Sequence, residues 1–282
     1  MAKIYSGIVL YNSELPRLLL SLDSISRQVD RVILVDNGSS NIEEICNAVT
    51  SFENVSVVKN HENLGIATAL NQICSIAFRD NAEWVLTLDQ DTVCPNDIIE
   101  QLYRFGNREE IGIVCPSVDY EGLNIHMRPS DDPITCVYAC MTSGSLTNIH
   151  AWKKVGGFRD DYFVDFVDNE FCMKLGQAGY KIIRINECVM HHQLGEIRER
   201  GVLCFKKKVS VHSPWRFYYM TRNNLLFIWE YKKYLNVIKE YLKLCSILIP
   251  GLLYADDKRN TYSYIKKGFL DARKGKVGKL II

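Results

Sequence analysis

Asp89 and Asp91 close the apolar run Trp84-Val85-Leu86-Thr87-Leu88 with only Gln90 between them. On an extended chain residues i and i+2 point the same way, so the two carboxylates aim at one spot. Carboxylates a few ångströms apart repel each other unless a cation or a shared proton lies between them. The plainer reading is a strand ending in a solvated turn, with Asp91 or Thr92 as a cap. Other stretches also carry residues suited to chemistry. Asp36-Asn37-Gly38-Ser39 follows a β-branched run and reads as a tight turn, since Asn-Gly and Ser are turn and cap residues. The same geometry lets an Asp accept from a pyrimidine N–H while glycine allows the backbone close to a ring. Asn63-Leu64-Gly65 opens a helical pattern and could simply cap it. Asp165, Asp168 and Glu170 stand just before or inside the start of another helix, where the dipole favours acids, enough to account for one of the three. His191-His192 and Ser143-Gly144-Ser145 read equally as surface, core or turn features.

These residues need elements to hold them. Ile4–Asn12, Arg31–Asn37, Val55–Asn60 and Trp84–Leu88 read as buried strands, with amphipathic helices between them. A helix from about Asp97 and the strand Ile111–Val118 complete the series. Such alternation predicts an α/β fold with a largely parallel sheet and helices on its faces. Ligands in these sheets bind at the carboxyl ends of the strands, which here carry Tyr11-Asn12, Asp36 to Ser39, Lys59-Asn60 and Asp89 to Asp91. Beyond residue 120 the pattern is mixed. "ITCVYACMTS", "SLTNI", "YKIIRI" and "ECVMHH" look like strands, and from about Ser213 the chain looks helical, with Pro250-Gly251 as its clearest break. The expected division is 1–200 for the α/β domain, in halves of 1–120 and 121–200, and 201–282 for a basic, aromatic helical appendage.

At 282 residues, 47% hydrophobic and 24% charged, the chain can bury a sizeable core. The ten cysteines show no CxxC pair and no zinc-like spacing, so reduced thiols are expected, with Cys136 and Cys140 as strand packing. Met1–Asn12 lacks the features of a signal peptide. The greasiest stretch, Leu244–Tyr254, is too short to span a bilayer. The net charge of +1 hides a division: residues 198–282 hold 19 Lys and Arg against 6 Asp and Glu, a net +13, while the first 197 hold 15 against 27, a net −12. That asymmetry suggests an anionic partner for the C-terminal part.

In order, "IVLYN", "VDNGSS", "NLGIATALNQ", "LDQDT", "VGGFRDDYFVDFVDNEFCMKLGQAGY", "HHQLG" and "RFYYMTRNN" resemble the family-2 glycosyltransferases of GT-A fold, and specifically their bacterial rhamnosyltransferase-like branch, over residues 4 to 225. The resemblance implies an inverting, metal-dependent transfer of a sugar, L-rhamnose from dTDP-rhamnose, to a lipid-linked or growing glycan in O-antigen-type polysaccharide synthesis. It implies Asp36 and Tyr11 at the nucleotide base, with Asn63 and Asn71 supporting. Asp91 becomes the direct ligand of Mg²⁺ or Mn²⁺, Asp89 serves the ribose or the metal's waters, and His192 (alternatively His191) completes the shell. Asp168 becomes the general base, in a form where Val167 replaces the usual Glu; Asp165 and Glu170 compete for acceptor-side roles. Ser143 and Trp152 join the sugar pocket, and Arg222-Asn223 matches a family "RN" that touches diphosphate or forms a structural pair. The implied partners are a nucleotide-sugar, a polyprenyl-diphosphate-linked glycan and an anionic membrane surface. No nucleic acid is among them, and the implied place is the inner face of the cell membrane.

Two other classes fit parts of the sequence. "VLTLDQDTV" also fits a haloacid-dehalogenase-type phosphatase with Asp89 as nucleophile, although three earlier strands carry nucleotide-like ends. A non-catalytic membrane-associated protein on a nucleotide-sugar fold is the third.

Overall fold

The computed structural model describes residues 2–106, 108–120, 132–192, 197–202, 205–210 and 212–281, without side chains at 120, 192, 197–202 and 205–210. These residues form two compact units. The first runs to His192 and omits 164–166; the second holds 164–166 and the residues after His192.

The first unit is built on the strands β1 (Ile4–Leu10), β2 (Arg31–Asp36), β3 (Val55–Lys59) and β4 (Trp84–Asp89). It continues with β5 (Ile111–Tyr120), β6 (Ile134–Cys136), β7 (Ser145–Asn148) and β8 (Lys181–His192). They make one eight-stranded sheet in the order β3-β2-β1-β4-β7-β5-β8-β6. β1, β2, β3 and β4 pair in parallel, as do β5 and β8, whereas β7 is antiparallel to both of its neighbours. The strands β1, β2 and β4 are apolar on both faces because helices cover each side. Between them run α1 (Leu15–Ile25), α2 (Ile42–Ala48), α3 (Ile66–Arg79) and α4 (Ile98–Gly106), with α5 (Ile149–Lys154) and α6 (Val167–Gln177) between β7 and β8. Ile8, Leu18, Leu22, Leu34, Leu86 and Ile98 anchor the core beneath them. Glycine at position 7 lets α3 approach β1: a Cβ there would lie 2.3 Å from Ile73 Cγ2.

The mixed region departs from expectation in three ways. Only Ile134–Cys136 of "ITCVYACMTS" is a strand, so Cys140 sits in the loop beyond it. The two short strands expected at 180–192 are one, β8, carried past a register shift opposite Pro116 and Ser117. Asn186 steadies that irregular stretch by donating to Asp132 O (2.7 Å) and Thr135 Oγ1 (2.9 Å). In the second unit a hairpin of β9 (Ile197–Val202) and β10 (Phe205–Ser210) precedes the helices; the helical reading is corrected at 201–202 and 205–210.

The rest of the second unit is α7 (Arg216–Glu230), α8 (Val237–Tyr254) and α9 (Lys258–Arg273), with Leu225, Leu244 and Ala272 at their common core. Pro250 does not break the chain; it lies inside α8. A proline removes one helical hydrogen bond, but the following Gly251 has the ring of Phe217 against it, where a Cβ would come within 2.2 Å of Cε1. The Pro-Gly pair therefore marks a close helix contact.

Candidate active site

Strand register brings the expected residues to one edge of the sheet. Leu10 pairs with Asp36 and Val9 with Asp89, so β1, β2 and β4 end side by side. Tyr11, the next residue along β1, is 50% exposed, so its ring faces open space. Asp36 is buried, and its carboxylate accepts from the amides of Gly38 (3.0 Å) and Ser39 (3.1 Å). These two bonds match the turn reading. Asn37, unexpected from the sequence, links two strand ends to α3: it donates to Gly65 O (3.1 Å) and accepts from Asn60 (3.0 Å). Asn63 closes the turn ahead of α3 by accepting from the Gly65 amide (2.9 Å). Gly65 has φ of 90°, and a Cβ there would meet Phe163 O at 2.6 Å.

The acidic loop after β4 is held from three sides. Gln90 turns back to β1, its Oε1 accepting from the Tyr11 amide (2.9 Å) and Ser13 Oγ (2.7 Å). Arg17 Nε donates to the Asp91 carbonyl (2.9 Å). Ser143 Oγ accepts from the Asp89 amide (3.0 Å) and shares a hydrogen bond with Thr92 Oγ1 (3.0 Å). Gln90 and these backbone hydrogen bonds fix the loop that carries the two carboxylates. An all-oxygen pair suits a hard divalent cation, and Mg²⁺-like ions commonly take one or two carboxylates, with substrate phosphates and water filling the shell. Among the described residues no third His, Cys, Asp or Glu joins them. His192 ends β8, and its side chain lies outside the described residues, as do Gln193 to Gly195. His191 is exposed and 3.4 Å from Asp119.

Beside this edge lies a cavity of about 380 Å³, whose walls include Cys115, Cys140, Met141, Ser143, Asp168 and Arg184. Asp168 sits in the first turn of α6 (Val167–Gln177), with Oδ1 accepting from the Asn169 amide (2.8 Å). Three of the four residues ahead of α6 have positive φ: Phe163 (66°), Asp165 (62°) and Phe166 (65°). Non-glycine residues there are strained and persist only where their surroundings over-determine them. Two hydrogen bonds do so inside the second unit, where Asn223 Nδ2 donates to Val164 O (2.7 Å) and Asp165 O (2.9 Å). Cys140 Sγ shares a hydrogen bond with Cys172 Sγ (4.0 Å), and the neighbouring thiols of Cys115 and Cys172 hold it well below the ordinary value, while the same contacts and burial push both of them up. The nine described cysteines are free.

Several expected site residues also have partners within the fold. Asn71 accepts from Trp152 Nε1 (2.9 Å) and the Phe158 amide (2.8 Å), and donates to Phe158 O (2.8 Å) and Asp160 Oδ1 (2.7 Å). It is a fastener, and Trp152 is buried beneath it. Asn71→Ala is expected to lower the unfolding free energy by about 2–3 kcal/mol, because it strands buried donors; urea titration measures this. Glu170 is buried and pairs with Lys174 (3.3 Å). Asp165 belongs to the second unit, where Arg216 Nη2 reaches its Oδ1 at 2.9 Å and Nε spans both oxygens at 3.2 Å. Arg222, at 0% exposure, packs between the rings of Tyr218 (5.1 Å) and Tyr219 (5.0 Å). Its guanidinium donates to Gly278 O (2.6 Å) and Asn223 Oδ1 (2.9 Å), within the helical core of the second unit. The sequence reading missed Gln90, Arg17 and Arg184. Only Arg184 carried a signal, a charge inside the apolar strand "YKIIRI".

A mostly parallel α/β sheet with an acidic loop at the end of its fourth strand, beside a carboxylate-bearing cavity, is an arrangement of GT-A fold. The chain belongs to glycosyl transferase family 2, whose profile matches residues 7–165. A curated relative, the dTDP-rhamnosyl transferase RfbF of Shigella flexneri, is 25% identical over 285 residues, covering 95% of this chain and 94% of its own. Mannosyltransferase PcManGT of Pyrobaculum calidifontis, solved with GDP-Man and Mn²⁺, superposes with a TM-score of 0.58 at 16% identity, covering 97% of this chain and 86% of its own. S. aureus TarS 1–349 with UDP-GlcNAc gives 0.60 at 16% identity, covering 96% and 81%. With family membership the phosphatase alternative falls: Asp89 ends the fourth strand of a sugar-transferase sheet.

Proposed function

We propose that this protein transfers L-rhamnose from dTDP-rhamnose, with inversion at the anomeric carbon, to a lipid-linked or growing glycan in bacterial surface polysaccharide (O-antigen) assembly. The observation that carries the reading is the cavity in which Asp168 and Ser143 share walls, since Ser143 also fixes the acidic loop. The donor assignment is supported by the dTDP-rhamnosyl transferase relative. In this reading the ring of Tyr11 lies along the nucleotide base, and the turn shaped by Asp36 and Asn63 receives it. The acceptor hydroxyl enters the cavity, where the Asp168 carboxylate takes its proton as the oxygen attacks the anomeric carbon. One base on the face opposite the leaving group gives inversion. Asp91, with Asp89 and His192, would hold Mg²⁺ or Mn²⁺, which when bound neutralises the charge growing on the departing diphosphate. The acceptor is carried on polyprenyl diphosphate, and the protein works as a peripheral protein at the anionic inner face of the cell membrane.

The test is a panel of nucleotide-sugars with membrane-lipid extract, with and without chelator, followed by release of nucleoside diphosphate. Rhamnose transfer from dTDP-rhamnose that stops with chelator is the expected result. Transfer of a different sugar would overturn the donor assignment, and turnover unaffected by chelator would overturn the metal.

A further inference from the structure

Helix α8 buries one side and leaves the other bare. Leu244 packs toward α7 and α9, yet Ile238, Leu242, Ile249 and Leu253 are 74%, 65%, 57% and 58% exposed. Their positions, with the exposed Cys245, step by four, three, four and four residues, which draws a single stripe along the helix. At 1.5 Å per residue the stripe is about 22 Å long. An uninterrupted apolar patch of this size on a surface marks an interaction site. Lys239 and Lys243 follow Ile238 and Leu242 by one position and flank the stripe, both exposed.

Charge selects the occupant. Residues 212–281 hold 14 Lys and Arg against 5 Asp and Glu, a net +9. A second copy would bring two such surfaces together, and like charges facing each other oppose association. An anionic bilayer accepts both features, taking apolar side chains into its acyl boundary and lysines at its headgroups. Among the described residues no helix is long and apolar enough to cross a membrane, so α8 would lie in the plane.

We propose that α8 docks along the surface of an anionic bilayer, with Ile238, Leu242, Ile249 and Leu253 sunk among the acyl chains and Lys239 and Lys243 at the level of the phosphates. This deepens the reading of a lipid-linked acceptor by naming the element that reaches the lipid, and its test does not depend on sugar transfer. The full chain is sedimented with phosphatidylcholine vesicles, with and without phosphatidylglycerol, beside the double variant Leu242→Glu/Ile249→Glu. Both side chains are exposed, so thermal unfolding of the variant should match the wild type. Burying two such side chains accounts for about 100-fold in partitioning, and that loss is expected for the variant on vesicles containing phosphatidylglycerol. For the wild type, raising salt should remove the preference for phosphatidylglycerol while part of the binding survives. Donor binding by the variant should stay at the wild-type level, so a failed docking test leaves the transferase reading standing. Equal vesicle binding by variant and wild type would overturn the proposal, as would a wild type that ignores vesicles. So would a variant whose only change is conversion from dimer to monomer in light scattering.

Discussion

Asp168→Asn is expected to cut kcat by about 10³-fold while the dissociation constant for the nucleotide-sugar stays within about twofold. The amide keeps the size of the side chain and can still accept from the Asn169 amide, as Oδ1 does now at 2.8 Å. What it loses is the ability to take a proton in the cavity. The split between kcat and donor affinity separates this role from a structural one, because a distorted α6 would weaken donor binding and lower thermal stability together. A variant that retains turnover would move the base elsewhere. The remaining acids of that segment are poor substitutes: Glu170 is buried against Lys174, and Asp165 is engaged by Arg216.

Asp91→Ala should remove the dependence of donor binding on Mn²⁺ or Mg²⁺ and lower kcat/KM by about 10³-fold, the several kcal/mol that a positioned divalent cation contributes to a developing negative charge. Calorimetric titration of donor with and without the ion measures the coupling directly. The fold should survive, because the loop is held through Gln90, Ser143 and the Asp91 carbonyl, none of which the substitution removes. Unchanged metal-dependent binding would refute Asp91 as ligand. The contrasting case is Asn71→Ala, whose cost falls on stability.

The parallel half of the sheet is legible because β1, β2 and β4 are short, β-branched and apolar on both faces, a pattern that few other settings tolerate. The antiparallel β7 is not: "SLTNI" has strand propensity, but nothing local says that it enters between β4 and β5. The acidic pair, Asp36 and Asp168 announce themselves through spacing after strands or before a helix. Their partners do not, since Ser143 reaches the Asp89 amide across 54 residues of chain. For Arg222 the sequence leaves a diphosphate contact and a structural pair both open. Read by motif it suggests a diphosphate contact, yet Tyr218 and Tyr219 stand four and three residues before it, the spacing that stacks side chains on one helix face. Pro250 also misleads, because a proline inside a pattern usually ends a helix, whereas this one lies inside α8, next to the Gly251 that packs on Phe217.

The most direct measurement is diffraction at the manganese edge from a crystal grown with Mn²⁺ and dTDP-rhamnose. The account predicts an anomalous peak in contact with the Asp91 carboxylate and the diphosphate, with the sugar in the cavity and its anomeric carbon on the side of Asp168. A peak away from the acidic loop, or a sugar bound with Asp168 turned from it, would contradict the account.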